Sequence, residues 1–173
     1  MIVGIALYKL LPNLDHEVNG YSFEETLKRA KSTAGDDARV LTFLARGQDF
    51  SYALVTRHGD VYERFYGELC TGSAKGNHCV NSESHHQHPA SARETQLARV
   101  PLAGISPQIL GRLRHATGAT DIDPIGIRRG RWVIVPTKAD PYIAGPDGSN
   151  LHRAATAEEL ALARTVATDS GLR

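Results

Sequence analysis

Apolar residues recur along this chain in short bursts, and the period of each burst predicts an element. Residues 2–10, "IVGIALYKL", are almost continuously apolar and predict a central strand buried on both faces. Ser22 opens "SFEETLKRAKS" with Glu25 three residues on, the reciprocal capping pattern of a helix start. Phe23, Leu27 and Ala30 then fall on one helical face. "ARVLTFLA" (38–45) predicts a second buried strand. "FSYALVTR" (50–57) and "DVYERFY" (60–66) flank His58-Gly59 and predict a β-hairpin with a two-residue turn.

Periodicity then stops. Residues 70–96 show none, which predicts a long polar loop or insertion, and loops longer than about 12–15 residues in compact domains are usually functional or disordered. The pattern resumes with "LARVPLA" (97–103), a strand whose Pro101 puts it at an edge or an end. Ser106 followed by Pro107 starts a helix, Ile109, Leu110 and Leu113 supply its apolar face, and Gly118 stops it. "IGIRRGRWVIVP" (125–136) predicts a tight hairpin turning at Arg129-Gly130. Thr156 and Glu159 form a second capping box, opening a helix to about Thr168.

The predicted order is β-α-β-β-β, loop, β-α-β-β, α. Both halves contain a β-α-β-β unit, a topological echo without shared residues. The expected fold is a single α+β domain over residues 1–173. About three helices pack on one face of a mostly antiparallel or mixed sheet, with a His/Cys-containing loop in 70–96.

Length and composition fit that picture. A chain of 173 residues suits one domain, and 41% apolar with 23% charged residues argues against disorder. Formal net charge is +1, so bulk charge selects no partner. Its distribution is uneven. Residues 1–97 carry 10 Lys/Arg against 12 Asp/Glu, whereas residues 98–153 carry 8 against 4, a local excess of +4 where an anionic ligand would most readily sit. The apolar start lacks a basic n-region and a small-residue cleavage site, and reads as a strand rather than a signal peptide. No run approaches the roughly 18 apolar residues that span a bilayer. The expectation is a cytoplasmic protein with no membrane partner.

Candidate chemistry concentrates in "GNHCVNSESHHQHP" (76–89), which holds four of the eight histidines and one of the two cysteines. Cys70 and Cys79 lie nine apart. In a reducing cytosol they would be thiols or metal ligands; in an exported protein they would clip the ends of a short loop together. Zinc takes thiolate and imidazole ligands, so Cys70, Cys79, His85 and His88 are candidate ligands for zinc or another divalent metal. Familiar zinc modules space such ligands more closely. His86 is the candidate general acid or base, since imidazole titrates near neutrality. His86 and His88, two apart, would share a face of an extended strand. Cys79 beside His78 is not a dyad by adjacency, because neighbouring side chains on an extended chain diverge.

Over about six residues "SHHQHP" resembles the double-histidine start of the His-Me finger (HNH-type) nucleases. The resemblance implies one histidine activating water and others holding a divalent metal. The family pattern continues with a short strand and a helix carrying an asparagine or a further histidine. Here the later helix "SPQILGRLRHA" carries His115 and no asparagine.

Arginines supply the anion-binding candidates: Arg112 and Arg114 on the second predicted helix, and Arg128, Arg129 and Arg131 beside Trp132 on the late hairpin. Guanidinium forks suit phosphate and an adjacent aromatic suits a base. "GPDGSN" and "TGSAKGN" do not match the P-loop pattern. Two classes of function fit the sequence. One is a small intracellular protein that binds or processes a phosphate-bearing partner such as nucleic acid. It would use a His/Cys loop that holds a metal or supplies acid–base histidines. The other is a non-catalytic interaction protein, an inhibitor, adaptor or assembly factor, whose 70–88 segment docks a protein partner. Oligomeric state leaves no mark in the sequence.

Overall fold

A computed structural model describes residues 23–47, 49–73 and 76–168. The strand expected at 2–10 and the capping residue Ser22 lie outside them. The described residues form an α+β fold: helix α1 (Phe23–Ala34), strands β1 (Arg39–Arg46), β2 (Asp49–Val55), β3 (Asp60–Ser73) and β4 (Gly76–Pro89), helix α2 (Ala92–Leu97), strand β5 (Val100–Pro101), a 3-10 turn (Leu102–Gly104), helix α3 (Pro107–Thr117), strands β6 (Ile125–Arg128), β7 (Arg131–Ile134), β8 (Tyr142–Ala144) and β9 (His152–Arg153), and helix α4 (Ala157–Thr168).

All pairings among the described residues are antiparallel, in the order β4-β3-β2-β1-β6-β7-β8-β9, with the two-residue β5 joining β1 beside the end of β6. The α-β-β part of the predicted echo is visible among the described residues; the strand expected to open the first unit, at 2–10, lies outside them. Units α1-β1-β2 and α3-β6-β7 each place a helix before two adjacent strands, and they meet where Phe43, Leu44 and Ala45 pair with Ile127, Gly126 and Ile125.

Strand alternation sorts the core into two faces. Phe43, Tyr52, Leu54, Tyr62, Ile127 and Trp132 point to the first face, where Leu27, Ala30 and Ala34 of α1 and Leu110 and Leu113 of α3 cover them. Leu44, Val133 and Ile143 point to the second face, under Leu162, Ala163 and Val166 of α4. Helices therefore lie on both faces, not on one as expected. The cause is the chain's second apolar set, at alternate strand positions, which needs its own cover.

The expected loop over 70–96 is also corrected. Its residues complete β3, make all of the 14-residue β4, and form α2. β4 stands last in the sheet order, and its residues 84–87 are exposed. Among the described residues β4 pairs with β3 alone, and its polar sequence carries no apolar alternation, so its backbone pairing left no mark in the hydropathy. Helix α2 opens on a reciprocal capping box, with Ser91 Oγ accepting from Glu94 N–H at 3.2 Å and Glu94 Oε2 accepting from Ser91 N–H at 2.8 Å.

Several local signals hold. Ser106 caps α3 above Pro107, and Gly118 ends it at φ +70°. Thr156 and Glu159 cap α4 reciprocally. Arg129 (φ 51°) and Gly130 (φ 72°) make a two-residue turn of type I′. The early hairpin differs in detail. β2 ends at Val55, and Thr56 O accepts from Gly59 N–H while Thr56 N–H donates to Asp60 O. That is a three-residue turn with Gly59, at φ +84°, in the bulge position. Within "LARVPLA" only Val100–Pro101 is strand.

Candidate functional site: an uncovered strip of the sheet

The β3–β4 register pairs Glu63 with His86 and Phe65 with Ser84, and the β2–β3 register adds Ala53 beside Glu63 and Ser51 beside Phe65. Glu63 lies next in line to Val61, which packs with Ala53, Val55 and Ala98 on the second face. Alternation from there puts Glu63, Phe65, Ser84, His86 and Ser51 on that same face. Thr42 joins them because the bulge between Val40 and Thr42 turns it toward Ala53. Arg128, two positions beyond Gly126, closes the far side.

Among the described residues no helix packs over this strip. α4 covers the β7–β8 side, and the Ala98 cluster covers the outer ends of β2 and β3. Between them lies an open cleft of ≈ 570 Å³, lined by these residues together with Tyr52, Arg64 and His85. Of these residues, the ones that alternate onto the second face bring three hydroxyls (Thr42, Ser51, Ser84), the Glu63 carboxylate, the His86 imidazole and the Arg128 guanidinium around Phe65.

Arg128 is half-buried and anchored. Its Nη1 donates to the carbonyls of Phe43 at 3.0 Å and Ile127 at 2.9 Å, which holds the guanidinium at the edge of the cleft. His86 and His88 stand together on the exposed strand, ring centroids 5.6 Å apart. His88 Nδ1 lies 3.0 Å from Pro89 O, and its Nε2 lies 4.0 Å from Glu94 Oε1 at the start of α2. The register places Glu63 and His86 as cross-strand partners, whose Cβ atoms sit about 4.5–5.5 Å apart.

The other candidates are dispersed. His85 pairs with Arg64 and alternates to the first face, so His85 and His88 are on opposite sides of β4. Cys70 and Cys79 occupy one paired position near the far end of the hairpin. Among the described residues no three His, Cys, Asp or Glu side chains come together to hold a metal ion. His115 sits on α3, which packs on the first face, away from His86.

The five arginines do not share a face. Arg114 is buried, donates from Nη2 to Asp121 O at 3.2 Å, and has its proton affinity lowered by burial, partly offset by Asp121 and Asp123. Arg112 donates to Asp147 O at 3.2 Å. Arg129 and Arg131 pair with Glu158 and Glu159 of α4, each at 3.6 Å. Trp132 is fully buried on the first face, edge-on to Phe43, with Nε1 donating to Pro146 O at 3.2 Å.

Sequence reasoning passed over Thr42, Ser51, Glu63, Phe65 and Ser84. The available signal was the alternation of "DVYERFY" carried onto the histidines of the next strand. It also passed over a cluster at the start of α4. Glu159 Oε1 meets His152 Nε2 at 2.9 Å, its Oε2 accepts from the N–H groups of Ala155 and Thr156, and its carboxyl is held down to about 2 by these bonds, His152 first. His152 is raised in turn by that bond and by the Asn150 carbonyl. These contacts tie β9 to α4.

No protein-family model, no curated protein and no solved structure matches this chain.

Proposed function

We propose that the chain binds and processes a phosphate-bearing partner, nucleic acid foremost, in the open cleft on the second face of its sheet. One observation carries the reading: the cleft gathers Arg128, His86 opposite Glu63, and Phe65 between Ser51 and Ser84. Arginine takes the phosphate, the aromatic face takes a base, and the hydroxyls take sugar or phosphate oxygens. The chemistry is phosphodiester hydrolysis. Water bonds to phosphorus as His86 takes its proton; the ester P–O bond breaks, and the leaving alkoxide takes that proton back from the His86 imidazolium. Glu63 orients the imidazole. Dispersal of the metal-ligand candidates favours this acid–base version over one built on Cys70, Cys79, His85 and His88. Of the arginines, Arg128 is the phosphate contact, Arg129 and Arg131 are engaged by Glu158 and Glu159, and Arg112 and Arg114 serve the fold. The site of action is the cytoplasm. No helix among the described residues is long and apolar enough to cross a membrane.

The test is a single-stranded oligonucleotide labelled for both binding and cleavage. Arg128→Ala weakens binding and flattens its salt dependence. His86→Asn keeps binding and abolishes turnover. A second reading, a non-catalytic interaction protein, draws on β4, which among the described residues pairs with β3 alone. Under it the wild-type chain shows no turnover, and His86→Asn changes only affinity for a protein partner.

A further inference from the structure

Positions in an antiparallel pair alternate between hydrogen-bonded and non-hydrogen-bonded. In the β3–β4 hairpin the phase is fixed at its base, where Ala90 N–H donates to Gly59 O at 2.7 Å. From there the pairing runs residue for residue, without a bulge, from Asp60↔Pro89 to Ser73↔Gly76. Val61↔His88, Glu63↔His86 and so on to Leu69↔Val80 and Thr71↔His78 are therefore the hydrogen-bonded pairs. Cys70↔Cys79, between the last two, is a non-hydrogen-bonded pair. At such positions the Cα atoms stand about 4.5 Å apart and the side-chain attachment points are closest. A disulfide spans Cα separations of about 4.4–6.8 Å.

We propose that Cys70 and Cys79 close a disulfide across the hairpin by exchange with a low-molecular-weight disulfide. The thiolate of one cysteine attacks the reagent's sulfur and expels one thiolate, forming a mixed disulfide. The second cysteine then attacks the protein-side sulfur and expels the other. Two protein thiols are oxidised to one disulfide, and one reagent disulfide is reduced to two thiols. The bond would staple the outer end of β4, the strand that presents Ser84 and His86 to the cleft. It also takes both sulfurs out of any metal set.

The test uses the full chain in mixtures of reduced and oxidised glutathione, with free thiols trapped by alkylation before intact-mass analysis. The expected product is a monomer, lighter by two hydrogens, without alkyl groups or glutathione. A geometric control replaces both native cysteines with serine and carries Leu69→Cys with Val80→Cys, one position along, at a hydrogen-bonded pair. At one glutathione ratio the native pair is expected to be oxidised at least about tenfold more than the control, because its geometry is the less strained. Two alkylated thiols at every ratio would overturn the inference. So would glutathione adducts or covalent dimers as the main product, equal closure of the control, or zinc held by the two thiolates.

Discussion

Gly126 stands where the two halves of the sheet meet, and an added methyl has nowhere to go. A Cβ built there comes 2.6 Å from the Phe43 carbonyl oxygen, 3.4 Å from Val166 Cγ2 and 3.6 Å from Leu44 Cδ1. Real Cβ atoms essentially never approach closer than 3.0 Å, so Gly126→Ala requires a shift of at least 0.4 Å (3.0 − 2.6). The obstructing atom is backbone in the β1–β6 ladder, and retreat the other way presses on α4. Forcing volume into a packed site costs about 1–3 kcal/mol. At about 2 kcal/mol the midpoint of a chain this size falls by roughly 4–8 °C. The assay is thermal and urea unfolding followed by far-UV circular dichroism and by fluorescence of Trp132, the chain's single tryptophan, which is fully buried. The urea midpoint should fall with an unchanged slope, since the surface exposed on unfolding is the same. Gly145→Ala is the control, because its Cβ meets nothing nearer than 3.4 Å. A Gly126→Ala protein as stable as wild type would refute both the β1–β6 register and the seating of α4.

Asp123 is buried and accepts from Thr120 N–H and Oγ1 at 2.8 and 3.0 Å, from Thr137 N–H at 2.9 Å and from the Thr137 hydroxyl. Burial pushes its carboxyl up, but these bonds outweigh burial and hold it below the ordinary range. Asp123→Asn puts an N–H₂ against donors and should cost about 1–3 kcal/mol in a urea titration. Glu159, held at about 2 against an ordinary 4.5, contributes stability fully above about pH 4.5 and loses it as pH falls toward about 2. His152, raised above 6.5, contributes fully below about pH 6.5 and loses it as pH rises through its folded value. Melting temperatures across pH should therefore separate wild type from His152→Ala most between about pH 4.5 and 6.5, and least in alkali. Ser91→Ala removes the side-chain half of the α2 capping box and should cost about 1 kcal/mol, read by hydrogen exchange at Glu94 and Thr95.

Elements that bury a face were legible in the sequence. β1, the helices α3 and α4 and the β6–β7 hairpin all carry period-two or helical apolar patterns with caps or turn glycines at their ends. The outer half of β3 and all of β4 were not. "GNHCVNSESHHQHP" lacks a polar side chain only at Gly76, Cys79, Val80 and Pro89, so a strand held by backbone pairing read as a loop. The site suffered from the same cause. His86 was singled out for its chemistry, but Glu63 and Phe65 gain meaning only from a register that no hydropathy pattern encodes. Arg112 and Arg114 looked like partners of the late hairpin because they are near it in sequence. Packing of α3 on the first face separates them from Arg128.

The most direct measurement follows backbone amide shifts of the isotope-labelled chain as a short single-stranded oligonucleotide is added. If the open strip is the ligand site, the shifts cluster at Thr42, Ser51, Glu63, Phe65, Ser84, His86 and Arg128 and saturate together. Shifts that gather instead around Arg112 and the 145–149 turn, or no shifts at all, would contradict it.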